Sequence, residues 1–426
     1  MNEQQAIAYL EHIKAGGMTM GLARMQRIMQ LCGDPHRRPR TVHIAGTNGK
    51  GSVARMIQRM GMAAGWRVGL FSSPAVTGVR DTICMDDQPI SADDFARWIT
   101  RIRDKQGEMG DAGHCSEFET LTAAAFGWMA EQHPDFCVIE CGLGGAEDAT
   151  NVLPPPLLAV LTAISRDHTA ILGDTIAAIA RQKCGILKAP CGIVTTPDQS
   201  PEALGVIWET AARLGLTVHQ PGAHAATVLA EDWNHLRFAY DAREWELALT
   251  GREQVGNALT AIEAARLLGE KGFPISPDHM AQGLSAVRMP CRQEALCRAP
   301  LRVMDGAHNP AGIAALADTL GRLAPQGVTM LLGMLADKEV DTCLRTLAPH
   351  CHRMICTTPP NRRAMVADEL ARRAQAAGID ATAAAEPLAA LEQAEQLAGD
   401  APLLVGGSFY LCGELRPALQ KRHFGG

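Results

Sequence analysis

The chain has 426 residues, more than one hydrophobic core usually supports, so two domains are expected. Apolar residues make up 47% and charged residues 20%, the balance of an ordinary globular protein and not of a disordered or fibrous one. A net charge of -6 gives no electrostatic reason to expect nucleic acid or an anionic membrane as partner, and no apolar run approaches bilayer-spanning length. Periodicity predicts helices over 3–14 and 21–31 joined by a turn at Gly16-Gly17. Residues 42–45 read as the end of a buried strand, 46–52 as a glycine-rich turn and 53–64 as a helix. A strand at 67–71 follows, then an irregular stretch including 77–80 and 85–89, a helix at 92–103, a loop over 106–115 and a helix at 118–132. Strands are expected at 136–140, 157–164 and 192–195, short strands with turns over 226–249, and helices at 254–268 and 277–287. After the proline-bracketed segment 288–300 the alternation restarts: strands at 301–304, 328–332, 353–357 and 403–405, helices at 310–323, 340–347 and 366–377. The expected class is α/β: an N-terminal P-loop-type domain with a mostly parallel sheet (1–296), then a smaller C-terminal Rossmann-like α/β domain (297–426). Thirteen cysteines, an odd number without a CxxC pair, read as buried reduced thiols, and the polar first ten residues carry no apolar signal core; both favour a cytoplasmic protein.

The chemistry gathers at strand ends. In Gly46-Thr-Asn-Gly-Lys-Gly-Ser52, glycines let backbone N–H groups curl round phosphates while the following helix N-terminus adds favourable partial charge. Lys50 would reach the outer phosphates and a hydroxyl such as Ser52 can ligate Mg2+, although Gly51 separates the two where the usual pattern has them adjacent. Glu140 ends a strand before Cys141-Gly-Leu-Gly-Gly145 and Asp148-Ala-Thr-Asn151, so it reads either as a Mg2+ ligand or as a solvated strand end. His168, in Ser165-Arg-Asp-His168, reaches the same strand edge, in a catalytic or a structural role. Lys183 near a helix end reads first as a charge favourable to the helix dipole. In the second half Asp305-Gly-Ala-His-Asn-Pro310, Asp337-Lys338 and Gly406-Gly-Ser408 each follow a strand.

In this order and spacing, from Gly21-Leu-Ala-Arg24 to Gly407-Ser-Phe-Tyr410, the motifs resemble the folylpolyglutamate synthase/dihydrofolate synthase family, cousins of the Mur peptide ligases. Asp167-His168 with Leu172-Gly-Asp-Thr175, and Gly185-Ile186 after Lys183, strengthen the likeness. The resemblance implies ATP bound by Gly46, Thr47, Asn48, Gly49, Lys50, Gly51 and Ser52, with Asn257, Arg292, Asp305 and His308 on its adenine and ribose. It implies two Mg2+ ions held by Ser52, Glu140, His168 and a carbamylated Lys183, with Cys184 where the family has alanine. Ser116, Phe118, Asp148 and Ala149 would face a pterin, and Lys50, His168 and Lys183 would be the catalytic residues. The implied reaction makes an acyl phosphate from ATP and a folate or dihydropteroate carboxylate, which the amine of L-glutamate then attacks. The implied protein is a monomer acting on small molecules. Ala75 and Ala146 stand where many relatives carry His and Arg, and the loop around Arg80 fits loosely, which leaves the acceptor acid open. A ligase for a different acid, or a nucleotide-binding protein without ligation, are the alternatives.

Overall fold

Short apolar runs become strands buried on both faces, and the amphipathic stretches between them become covering helices. The computed structural model describes residues 1–14, 20–110, 113–222 and 226–424. The expected turn at Gly16-Gly17, and residues 111–112 of the expected loop, lie outside the described residues.

The chain forms two compact units, Met1–Ala225 with Gly256–Ala286, and Ala226–Val255 with Val287–Gly426. This partition differs from a single division at 296/297, because residues 226–255 group with the C-terminal half. The physical reason lies in Glu231: its buried carboxylate takes two hydrogen bonds from Arg322, at 2.8 and 2.9 Å, and Trp233 packs on that unit's core. The last crossing from one unit to the other, between Ala286 and Val287, adjoins the proline-bracketed segment 288–300.

In the first unit, β1 (Thr41–Ala45), β2 (Val68–Phe71), β3 (Ile83–Met85), β4 (Gln88–Pro89), β5 (Phe136–Glu140), β6 (Leu158–Leu161), β7 (Gly192–Thr195) and β8 (Val218–His219) form one sheet. Their order is β4-β3-β2-β5-β1-β6-β7-β8, parallel from β2 to β8 with an antiparallel edge of β3 and β4. The chain order reverses around β1, so the carboxyl ends of β1, β5 and β6 open at the kind of switch point where parallel sheets bind ligands. Helices Glu3–Lys14, Ala23–Leu31, Ala92–Gln106 and Glu117–Gln132 bury Leu10, Met25, Phe95, Trp98 and Phe126 with Phe71 and Ile139. A second cluster buries Ile179 and Ile207 with Leu161 and Ile193. Each such side chain contributes roughly 1.5–3 kcal/mol, so packed faces, and not the loops, fix where the strands end. The stretch 85–89, expected as irregular, is a hairpin: Asp86 and Asp87 both take positive φ, 48° and 62°, the conformation a two-residue hairpin turn favours.

The second unit carries an antiparallel sheet of β9 (Ala226–Glu231), β10 (Leu236–Tyr240) and β11 (Arg243–Leu247). Its larger sheet contains β12 (Glu294–Arg298), β13 (Leu301–Asp305), β14 (Val328–Leu332), β15 (Cys351–Cys356), β16 (Ala381–Ala383) and β17 (Leu403–Gly406). Their order is β12-β13-β17-β14-β15-β16, parallel except at the β12 edge. The expected class, a mostly parallel N-terminal sheet followed by a C-terminal α/β unit, is the one observed. Sequence periodicity passed over β12, which hides between prolines, and the helix Phe409–Phe424, which carries Pro417 in its interior. None of the thirteen cysteines forms a disulfide; eleven are buried and Cys297 and Cys351 half-buried. Among the described residues no helix is long and apolar enough to cross a membrane.

Candidate active site

β1 delivers the chain to Gly46, where a side chain would overlap the Thr162 hydroxyl, so only glycine lets the loop pass. Thr47 and Asn48 donate their N–H groups to the Ala163 carbonyl at 2.8 and 3.2 Å, and the Thr47 hydroxyl bonds the Ser165 backbone at 3.0 and 3.1 Å. These bonds zip the loop to the segment leaving β6. Gly49 then takes φ +85° with the Asn257 amide packed against it, and the helix Lys50–Ala63 starts at Lys50 and not at the expected 53. The Lys50 Nζ folds back to donate to the carbonyls of Gly46 and Thr47, both at 3.2 Å. Ser52, one turn into the helix, is buried.

Lys183 comes to the same place from another element. It closes the helix Ile176–Lys183, is 3% exposed and donates to the Gly46 carbonyl at 2.7 Å. One carbonyl therefore receives two lysines. Burial, reinforced by the charge on Lys50, pulls the Lys183 ammonium down to about 7. It does stand in the last turn of the helix, but buried. Glu140 is not a solvated strand end: it is 3% exposed, pairs in register beside Ile44 of β1, and accepts the Ser73 N–H at 3.2 Å. His168 takes φ +51°, with its ring 3.9 Å from the Asp167 carboxylate and about a third exposed. Among the described residues no three of His, Cys, Asp and Glu gather as a metal cluster.

The glycine turn after β5 is tied by Asp148. Its carboxylate accepts the N–H groups of Leu143 and Thr150 at 2.8 and 3.0 Å and the Thr150 hydroxyl at 2.5 Å, and burial raises its pKa. Beneath lies His43, fully buried and pushed down to about 3, bonded to Thr150 at 2.9 Å and to the Cys141 thiol at 3.1 Å. Ser116 caps the helix Glu117–Gln132 in a reciprocal box with Glu119, which Arg24 grips at 3.0 and 3.1 Å. Phe118 and Ala149 join one apolar cluster, Phe118 lying 5.9 Å from the Phe71 ring. Of the four expected pterin residues, two are thus packed together while Ser116 and Asp148 hold backbone. Ala146, at a departure position, packs against Gly185, and the Asn151 amide bridges the carbonyls of both at 2.9 and 3.1 Å.

In the second unit Asp305 ends β13 and accepts the N–H groups of Gln293 and Ala307 at 2.8 and 2.7 Å. Burial raises its pKa against the pull of Arg292. The Arg292 guanidinium lies 4.5 Å over the Phe409 ring, and the His308 ring meets the same Phe409 at 6.0 Å. Arg292, Asp305 and His308 are therefore brought together, whereas Asn257 belongs to the first unit and meets the glycine loop. Asp337 pairs with Arg363 on the surface. Sequence reasoning missed Phe409, Gln293 and Glu253. Phe409 stood inside the motif Gly407-Ser-Phe-Tyr410 with no role of its own, and Glu253, its carboxyl pushed up to about 7, resembled any polar helix start.

The Mur ligase middle domain family matches residues 44–265, and the Mur ligase glutamate ligase domain family matches residues 287–409. The chain is 32% identical to the folylpolyglutamate synthase of Lacticaseibacillus casei over 98% of its length and 99% of that protein. It is 34% identical to the dihydrofolate synthase/folylpolyglutamate synthase of Bacillus subtilis, over 83% and 84%. A crystal structure of the Mycobacterium tuberculosis folylpolyglutamate synthase complexed with ADP and AMPPCP superposes with a TM-score of 0.88 at 30% identity, covering 98% and 99% of the two chains. The fold, the glycine loop and these matches define an ATP-dependent ligase. Within that class, the chain belongs to the folylpolyglutamate synthase/dihydrofolate synthase family of Mur ligases.

Proposed function

We propose that the protein, as a cytoplasmic monomer, joins L-glutamate to the carboxylate of a folate or of dihydropteroate at the expense of ATP. The observation that carries this reading is the convergence of Lys50 and Lys183 on the Gly46 carbonyl, with Glu140 buried at the end of the neighbouring strand. In the first step a carboxylate oxygen bonds the γ-phosphorus and ADP leaves. In the second the glutamate nitrogen bonds the acyl carbon, loses a proton, and inorganic phosphate leaves. Carboxylate and triphosphate repel, so their approach needs fixed cations. Lys50 supplies one at the loop and Arg292 a second at the nucleotide.

The hydroxyl of Ser52 and the carboxylate of Glu140 are hard oxygen donors of the type Mg2+ takes, and Mg2+ bound through one carboxylate, a hydroxyl and phosphate oxygens needs no all-protein cage. His168, after the neighbouring strand β6, would be a third ligand. When bound, Mg2+ neutralises phosphate charge that would otherwise repel the acid. Lys183 fits the carbamylation its family position implies: an amine drawn down to about 7 is substantially neutral at physiological pH, the form that adds carbon dioxide. Its carbamate would offer a second Mg2+ an oxygen donor. Phe118 and Ala149 give the pterin an apolar wall.

The test is incubation with ATP, Mg2+ and glutamate, with dihydropteroate or tetrahydrofolate as acceptor, and mass analysis of each product. A gain of one glutamate residue on either acceptor is expected. ATP turnover with no gain on either would assign the site to a different acid.

A further inference from the structure

Arg292 stands between two residues that bear a Cβ and yet adopt the left-handed region, Cys291 with φ 57° and Gln293 with φ 44°. Such a turn does not hold itself, and the surrounding structure must fix it. On the Cys291 side its carbonyl accepts the Gly306 N–H at 2.8 Å and its own N–H goes to Glu294 at 2.9 Å, a carboxylate that Arg416 also grips. On the Gln293 side the backbone N–H goes to Asp305 at 2.8 Å, and the side-chain Nε2 donates to Glu253 Oε1 at 3.0 Å.

Glu253 arrives from a segment 40 residues earlier in the chain, at the start of the helix Glu253–Glu270. The approach is close: a side chain on Gly251 would meet both Glu253 oxygens at 2.5 Å and the Gln293 amide nitrogen at 2.8 Å. Gln293 is 4% exposed and its Oε1 has no protein partner among the described residues. Its amide is therefore oriented by the single bond to Glu253. Lost solvation and the charge of Asp305 push the Glu253 carboxyl up to about 7 against the pull of Arg292.

We infer that Glu253 is a positioning residue for Arg292: by anchoring Gln293 it holds the left-handed turn that lays the guanidinium across Phe409, the posture in which Arg292 meets the nucleotide. This rests on the ATP reading above. All the contacts lie within one unit, so the device works on the turn itself.

The test is calorimetric titration of the full chain with AMPPNP and Mg2+, using wild type, Glu253→Ala, Glu253→Gln, Arg292→Ala and the double variant Glu253→Ala/Arg292→Ala. Glu253→Ala is expected to weaken binding about tenfold, whereas Glu253→Gln, whose amide oxygen accepts the same bond, stays within about threefold of wild type. The double variant binds no more weakly than Arg292→Ala, because Glu253 acts through Arg292. If circular dichroism shows Glu253→Ala unfolded, Gln293→Leu takes its place with the same expected loss and the same non-additivity. Wild-type affinity in Glu253→Ala or Gln293→Leu, or a double variant that loses the product of the two single effects, overturns the inference while leaving the ATP reading intact. Absence of AMPPNP binding by wild type overturns the ATP reading, and the inference with it.

Discussion

The strand-end sites of the two units are made of different material. After β1 the cradle is backbone: glycines at close approach, N–H groups zipped to the β6 exit, and two lysine side chains on one carbonyl. Beside β13 the site is side chain: Asp305, Glu253 and Glu294 accept the N–H groups that hold a strained turn around one arginine. The first presents positive charge and needs little beyond glycine and lysine. The second presents an arginine at the cost of buried acid and of two left-handed residues, roughly 1–3 kcal/mol each. An anion cradle is inexpensive to build locally; a precisely aimed guanidinium draws on distant chain.

The contrast is tested hardest at Lys50. Lys50→Ala should lower ligation, followed by ADP release at saturating substrates, by about 10³-fold, and a fall of under about tenfold would mean that the backbone alone handles the phosphates. Gly49→Ala comes next. Gly49 and Gly378 share φ +85°, but Asn257 crowds the first while the second faces open space. Urea unfolding should therefore show Gly49→Ala losing roughly 1–3 kcal/mol and Gly378→Ala distinctly less; equal losses would show that Asn257 simply moves aside.

The two units should also answer pH in opposite directions. The Lys183 amine falls from 10.5 to about 7 on folding, so between those values the unfolded chain binds the extra proton and stability rises with pH. The Glu253 carboxyl climbs from 4.5 to about 7, so between those values the folded chain binds the extra proton and stability falls as pH rises. Urea midpoints in carbonate-free buffer should show the first slope vanish in Lys183→Met and the second in Glu253→Gln. A slope unchanged in either variant contradicts the shift assigned to that group. The smallest effect belongs to Asp337→Ala: its ion pair with Arg363 is exposed on both sides, so stability should change by less than about 1 kcal/mol and ligation not at all.

These materials also explain what the sequence made legible. The run Gly46 to Ser52 is contiguous, and its spacing between a strand and a helix is its mechanism, so both the loop and the parallel sheet could be read directly. Glu140 and His168 were read as sharing one edge because each stands at or just after a strand end of one sheet. The burial of Glu140 was not legible, since it depends on the segment after β2, whose Ser73 N–H its carboxylate accepts. The Asp86-Asp87 hairpin escaped notice because aspartate is a less familiar left-handed residue than glycine or asparagine. Glu253 and Gln293 were invisible for a stronger reason: their significance is one hydrogen bond between segments that no local pattern links.

The central claim is passage through an acyl phosphate, and isotope transfer tests it most directly. The acceptor acid is labelled with ¹⁸O in its carboxylate, and the inorganic phosphate released in a single turnover is analysed by mass spectrometry. The account predicts one ¹⁸O in the phosphate for each amide formed, because the oxygen that bonded the γ-phosphorus leaves with it. Amide formation with unlabelled phosphate would contradict the account and require activation of the acid by another route.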